Sequence, residues 1–340
     1  MKAALLHGAG RLGVDEVPVP AAGPGEIVVE MRACGLCGSD LEKIRGTYTA
    51  APPVIGHEAV GVVADVGKGV EGIRRGTRVF PHHHVPCGRC SACRGGSPTM
   101  CPRYRGTNLE PGGFAEHFRV PRWNVERGGV LRLPTAVDFE RATFIEPLAC
   151  AIRALDRAPR RPRSAIVLGT GPMGLLALQL LRLRGVDPVL ASEVSAARAG
   201  KARALGAAIV WNPRSEDVVA AARRETDGAG VDLAIVATGH VPAIAQAVHA
   251  VRAGGTVVLL GVPEAGGRLD VDPSEFVTRE VSLVPSNAAT ETETRRALAL
   301  IARGRVDVAS LVSHRFRLAA FEEAVRVAER AECVKALITP

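Results

Sequence analysis

Four of the chain's eight cysteines fall within 15 residues, as Cys87, Cys90, Cys93 and Cys101 with the spacing C-x2-C-x2-C-x7-C. Four thiolates so close in sequence can close a tetrahedral shell around one Zn²⁺, the arrangement of structural zinc. A disulfide pair, a redox cluster or an iron–sulfur cluster would use the same residue type. The usual bacterial iron–sulfur run reaches its fourth cysteine after three residues rather than seven, so the spacing favours zinc. A second set lies outside this run: Cys37 in CGLCGSD, His57 and Glu58 in VIGHEAVG, and Glu146 in FIEPLAC. One thiolate, one imidazole and one or two carboxylates make a mixed shell that leaves a coordination position for water or substrate, as catalytic zinc does. Each of these residues is a weak signal alone.

A third motif gives the second set a reaction to take part in. An apolar run, Ala165 to Leu168, is closed by Gly169-Thr170-Gly171-Pro172-Met173-Gly174 and followed by an apolar helical pattern. Glycines at these positions permit a tight turn, close approach of a pyrophosphate and close packing of helix on strand, while the helix N-terminus attracts phosphate. The next apolar run ends at Glu193, 19 residues past Gly174. A carboxylate there is placed to accept the ribose hydroxyls of NAD and to repel the 2′-phosphate of NADP. Arg198, five residues on, acts in the opposite sense. Thr238, Gly261, Val262 and Ser286, at or just past the carboxyl ends of later strands, complete the set expected to face the cofactor.

These motifs need elements to hold them. Short β patterns are expected over 2–6, 26–33, 59–66, 78–80 and 115–120, separated by Gly/Pro turns, which suits an antiparallel, partly closed β structure. From Glu146 strand and helix patterns alternate, with strands expected over 165–168, 188–192, 208–210, 232–238, 256–261 and 281–284. Six such strands make a doubly wound parallel sheet. Amphipathic helices over 291–303 and 319–330 and a strand over 334–338 follow. The expected architecture is therefore α/β with two domains: residues 1–148 with 286–340, and residues 149–285.

In its whole length the chain resembles the zinc-containing medium-chain dehydrogenases/reductases, nearest to the branch of sorbitol (polyol) and threonine dehydrogenases. The resemblance rests on Cys37-Gly38-Ser39-Asp40, Gly56-His57-Glu58, the four-cysteine run, Pro111 to Glu116, Glu146-Pro147-Leu148-Ala149 and the glycine motif, in the family's order and spacing. It implies a GroES-like β domain that takes back the C-terminal stretch, and a Rossmann domain carrying NAD(H). It implies two zinc ions per chain. The catalytic ion would lie between the domains on Cys37, His57 and either or both of Glu58 and Glu146; the structural ion would lie on the four cysteines. In that setting zinc polarises the oxygen of a secondary alcohol, hydride passes to NAD, and Ser39 relays the proton. The chain departs from many relatives after Asp40, where Leu41-Glu42-Lys43 replaces the histidine toward which the relay runs. Ser39 also reads as a simple loop cap, and Glu146 as a charge favoured at a helix N-terminus. A homodimer or homotetramer is expected.

Pro81-His82-His83-His84 precedes the cysteine run. If that segment were extended, His83 would face opposite to its two neighbours, and it is expected to form a polar wall of the substrate pocket. Such a wall suits a small polar alcohol or ketone: a polyol, sugar, cyclitol or amino alcohol. Bonding of the three histidines to backbone carbonyls is the plainer alternative.

The net charge of +8 raises nucleic-acid binding as a possibility. The densest basic run, 157–163, holds two prolines and no aromatics and reads as a solvated loop, so no nucleic-acid partner is expected. The first residues lack the apolar region of a signal peptide, and no apolar stretch reaches the ~18 residues of a membrane span; a cytoplasmic protein without a membrane partner is expected. Cys34, Cys150 and Cys333 read as reduced packing residues. Two rivals share the fold. One is an NADP-preferring reductase, which would lack the catalytic zinc set. The other is a non-catalytic nucleotide-binding relative.

Overall fold

The computed structural model describes residues 1–8, 10–47, 55–159, 161–263, 265–330 and 333–340. Arg160 of the basic run lies outside the described residues. The chain divides into two compact units, Met1–Ala149 with Ala289–Pro340, and Cys150–Ala288.

The first unit is mainly antiparallel. Its strands are β1 (Lys2–Leu6), β2 (Leu12–Glu16), β3 (Ile27–Gly35), β4 (Glu58–Val66), β5 (Arg78–Pro81), β6 (His117–Val120) and β7 (Val130–Arg132). Strand β3 lies in the middle of a seven-stranded sheet because almost every residue of IVVEMRACG is buried. It pairs antiparallel with β4, β6 and the C-terminal strand β15 (Lys335–Thr339), which runs parallel to β14 (Val312–Arg317). Ile27, Val29, Met31, Phe114, Phe118, Phe321 and Ile338 form the core of this unit. The C-terminal stretch thus returns to this sheet.

The second unit is a parallel six-stranded sheet. Its strands, in chain order, are β8 (Ala165–Leu168), β9 (Val189–Ser192), β10 (Ile209–Trp211), β11 (Val231–Val236), β12 (Val251–Leu259) and β13 (Ser282–Pro285). They lie in the spatial order β10-β9-β8-β11-β12-β13, the doubly wound order with its switch point between β8 and β11. Every residue of β8, β9 and β11 is buried, as expected of strands covered on both faces.

Several expected bounds need correction. Strand β12 begins at Val251, five residues before the expected 256, and β3 runs on to Gly35, which matters for the site below. Three strands were not anticipated: β2, β7 and β14. Strand β14 alternates half-buried and exposed residues (VSHRFR) and carries little apolar signal. The helix expected over 319–330 is a 3-10 turn, Leu318–Ala320, followed by helix Phe321–Ala328. Among the described residues no helix is long and apolar enough to cross a membrane.

Candidate active site and metal centres

The four cysteines form one cluster, with their sulfurs all within 4.8 Å of one another. Cys90 Sγ is 3.5 Å and Cys87 Sγ 3.9 Å from Cys93 Sγ. Main-chain N–H groups of Arg89 and Cys90 donate to Cys87 Sγ, and these bonds draw its thiol down to about 6. Burial, with Cys90 alongside, pushes Cys93 up to about 12. N–H donors aimed at sulfur suit thiolates held by a cation, and the donor set fits zinc in a closed shell. No disulfide forms among the eight cysteines.

The second cluster is assembled by two chain segments. Cys37 is the N-cap of helix Gly38–Arg45. His57 lies just before β4, and Glu58 is its first residue. A sulfur, a ring nitrogen and a carboxylate oxygen of these three lie within 4.8 Å of one another. Glu146, in the first turn of helix Ile145–Asp156, stands beside this set rather than within it; it is buried, and its charge raises the pKa of Glu58. The thiolate–imidazole–carboxylate donors fit a zinc ion with a position left for another ligand.

Three residues to which the sequence reading gave no role hold this set in place. Asp40 is fully buried, and its carboxylate accepts from the main-chain N–H of Cys37 at 3.2 Å and of Gly56 at 3.0 Å. Its Oδ1 lies 3.3 Å from His57 Nδ1, which leaves Nε2 as the ring nitrogen to serve a metal. Burial pushes Asp40 up, but His57 and these bonds hold it down to about 2. Burial likewise opposes a charged His57, yet Asp40 and the Cys37 sulfur raise it well above its ordinary value. The shell thus attracts positive charge.

Lys335 of β15 is the second such residue. Its Nζ lies 2.6 Å and 2.5 Å from the two oxygens of Glu58, and both side chains are buried. Burial raises Glu58, and Lys335 acts against that rise. Gly35 is the third. A Cβ there would run into the Glu58 carboxylate and come within 2.8 Å of Lys335 Cε. The one sequence signal for Lys335 was a charged residue inside the apolar run Cys333 to Thr339.

Ser39 stands in the first turn of helix Gly38–Arg45, half-buried, while Cys37 takes the N-cap position. Ser39 is therefore not the cap. The histidine run departs from the extended geometry assumed for it. Strand β5 ends at Pro81, His83 lies in a bend, and the His83 and His84 rings are 4.1 Å apart rather than on opposite sides. His82 Nδ1 lies 2.9 Å from Glu291 Oε1. The His83 ring lies 5.1 Å from that of His57. His83 Nδ1 and His84 Nε2 are buried without a hydrogen-bond partner. Burial and neighbouring histidines depress His83 well below its ordinary value and His84 to about 3, so both are neutral.

In the second unit a cavity of about 460 Å³ is lined by Gly169, Gly171, Glu193, Arg198, Arg214 and Thr238, among others. The glycine turn needs its glycines. Gly169 has φ +85°, and a Cβ on Gly174 would strike the Gly169 carbonyl. Gly171 caps helix Pro172–Leu183, which Pro172, Met173 and Gly174 open. Glu193 Oε2 accepts from Thr170 N at 2.7 Å and Thr170 Oγ1 at 3.1 Å, and Oε1 accepts from Ser195 N at 2.9 Å. The acid is thereby locked against the glycine turn. Arg214 and Pro213, beyond β10, were not anticipated. Gly261 packs on the Thr238 backbone, Val262 is 54% exposed, and Ser286 keeps a buried, unbonded Oγ; none of these three lines the cavity.

Comparison with known proteins agrees with this geometry. Residues 23–129 match the family model of the alcohol dehydrogenase GroES-like domain, and residues 172–303 that of the zinc-binding dehydrogenases. The L-threonine 3-dehydrogenase of Pyrococcus furiosus is 36% identical over 77% of this chain and 75% of its own length. The sorbitol dehydrogenase of Bacillus subtilis is 29% identical over 100% of this chain and 97% of its own. A crystal structure from Sinorhizobium meliloti, described as a zinc-binding dehydrogenase bound to NADP, superposes with a TM-score of 0.91 at 33% identity, covering 100% of this chain and 99% of that one. With its clustered cysteines, glycine turn and two-unit fold, the chain belongs to the zinc-binding alcohol dehydrogenase family.

Proposed function

We propose that this chain is a zinc-dependent dehydrogenase that reversibly oxidises a secondary alcohol of a polar substrate to a ketone, with NAD as the preferred cofactor. The observation that carries the reading is the convergence of Cys37, His57 and Glu58, in a chain whose second unit ends a glycine-cornered cavity at Glu193. Zinc on the first set supplies a Lewis acid for the alcohol oxygen, and a nicotinamide dinucleotide on the second supplies the hydride acceptor.

The chain's own residues do the rest. Asp40 fixes the His57 ring, so that its Nε2 serves the metal. Lys335 balances Glu58, so that the shell holds one carboxylate without an uncompensated buried charge. Ser39 relays the alcohol proton: its Oγ accepts that proton as its own hydroxyl proton passes to solvent. Neutral His83 and His84 offer unbonded ring nitrogens to a second polar group of the substrate. That preference agrees with relatives named for sorbitol and L-threonine. Four thiolates hold the structural ion. The protein works in the cytoplasm as a homodimer or homotetramer.

Glu193 favours NAD, because a carboxylate beside a 2′-phosphate is a like-charge contact in a partly buried site. The expected preference over NADP is about tenfold or more in kcat/KM, or roughly 1.4 kcal/mol per factor of ten. A second reading, NADP preference, draws on Arg198 and Arg214 in the same cavity and on the NADP complex from S. meliloti. Steady-state kinetics with both cofactors on one active substrate decide between them. A panel of polyols, sugars, cyclitols and amino alcohols assayed for NADH formation identifies that substrate. Absence of turnover across the panel with either cofactor would overturn the dehydrogenase reading.

A further inference from the structure

A second cavity, of about 690 Å³, lies in the first unit on the turn between β4 and β5. Its lining includes Arg74, Arg75 and Arg132, with Gly72, Gly76 and Thr77. The turn is tightly closed. Arg74 N donates to Thr77 Oγ1, and Thr77 N donates to Arg74 O. Gly72 and Gly76 have φ +71° and +81°, a conformation that favours glycine, and Arg74 and Arg75 between them are both exposed. Arg132, the last residue of β7, faces the turn; its Nη2 lies 3.6 Å from where a Cβ on Gly72 would be.

Several of the chain's arginines answer carboxylates: Arg315 pairs with Glu140, Arg252 with Asp232, Arg184 with Asp156 and Arg279 with Glu275. Among the described residues, Arg74, Arg75 and Arg132 have no such partner. The turn from Gly67 to Arg78 carries one acid, Glu71, which forms no ion pair with them. Another arginine of the turn, Arg78, is already committed to the carbonyls of Pro134 and Val137. Three like-charged side chains line one concavity whose lining holds no carboxylate, and an anion there meets positive charge from each of them. Guanidinium forks match phosphate oxygens two at a time. The Thr77 hydroxyl adds a donor in the same lining.

We infer that this cavity is a binding site for a small phosphate-bearing anion, separate from the cofactor cavity of the second unit. Three arginines suit a phosphoryl dianion or a diphosphate. The inference does not rest on the dehydrogenase reading.

Calorimetric titration of the zinc-loaded full chain tests it. Saturating NAD is included to fill the cofactor cavity, and ionic strength is held constant with chloride. Inorganic pyrophosphate and methyl phosphate, neither of which carries an oxidisable secondary alcohol, are the two probes, and the tighter one tells an inorganic from an ester source. One saturable site per chain is expected. R74Q/R75Q/R132Q weakens it by about tenfold or more. R224Q/R303Q/R305Q, which removes the same charge from exposed positions elsewhere, leaves it unchanged. R75Q and R132Q alone each weaken binding if the triple variant folds poorly. No saturable heat with either probe, or the same loss in both triple variants, overturns the site.

Discussion

Glu58 is governed by two neighbours that lie far from it in sequence or carry no side chain. Gly35 leaves the space in which the Glu58–Lys335 pair forms. Gly35→Ala is expected to lower stability by about 1–3 kcal/mol, the usual scale of overpacking, and to weaken zinc binding; urea unfolding with zinc analysis reads both. Lys335→Met strands a buried carboxylate, at a cost of about 3–5 kcal/mol near neutral pH. Burial already raises Glu58, and loss of Lys335 raises it further. The destabilisation is therefore full above the folded-state value and shrinks as the pH falls through it toward the ordinary carboxylate range. Unfolding free energies at neutral and acid pH check this, and a loss that does not shrink in acid contradicts it. Cys37, His57 and Glu58 were legible in the sequence because each sits in a short motif of fixed order. Lys335 was not, because 277 residues separate it from Glu58 and only folding of β15 against β3 joins them. Asp40 stood inside a recognised motif, but its hold on His57 shows only in three dimensions.

At the scale of elements, the zinc loop and the sheets are stabilised in different ways. A closed thiolate shell organises the segment that supplies it. Cys93→Ser should lower the melting temperature or solubility and remove one zinc, and an unchanged melting temperature at full zinc content would count against it. In the parallel sheet, Asp232 ties strands together: Oδ2 accepts from Arg163 N at 2.6 Å and Ser164 N at 3.1 Å, and Oδ1 from Arg252 Nε at 2.6 Å. Burial works against the charged carboxylate, but these donors hold its pKa below the ordinary value. Its contribution is present above the ordinary carboxylate range and lost as the pH falls through the folded value. Asp232→Asn should cost about 1–3 kcal/mol at neutral pH and progressively less in acid, as thermal scans across pH will show. Strands buried on both faces, such as β8 and β11, were readable as apolar runs. Edge and half-exposed strands such as β2 and β14 were not, because their stability comes from pairing rather than from a buried face. The histidine run shows the limit of periodicity. The alternation rule holds only inside a strand, and β5 stops at Pro81.

For the whole molecule, the order of strand and helix patterns was enough to read a β unit followed by a doubly wound sheet of six strands, whereas the return of the C-terminal stretch to the β unit was implied only by resemblance. On the proposed reading, substrate and cofactor preference depend on a few side chains, among them His83, His84, Glu193, Arg198 and Arg214; spacing pointed to Glu193, but its bonds to Thr170 and the approach of the His83 and His84 rings show only in three dimensions. The central claim is zinc-dependent dehydrogenation through the Cys37–His57–Glu58 set. The most direct measurement is NADH formation by the zinc-loaded chain over the polar-alcohol panel, run in parallel with Cys37→Ser. The account predicts turnover of at least one secondary alcohol by the native chain, and none by a Cys37→Ser variant that keeps its fold and its NAD binding. Near-normal activity in Cys37→Ser would contradict it.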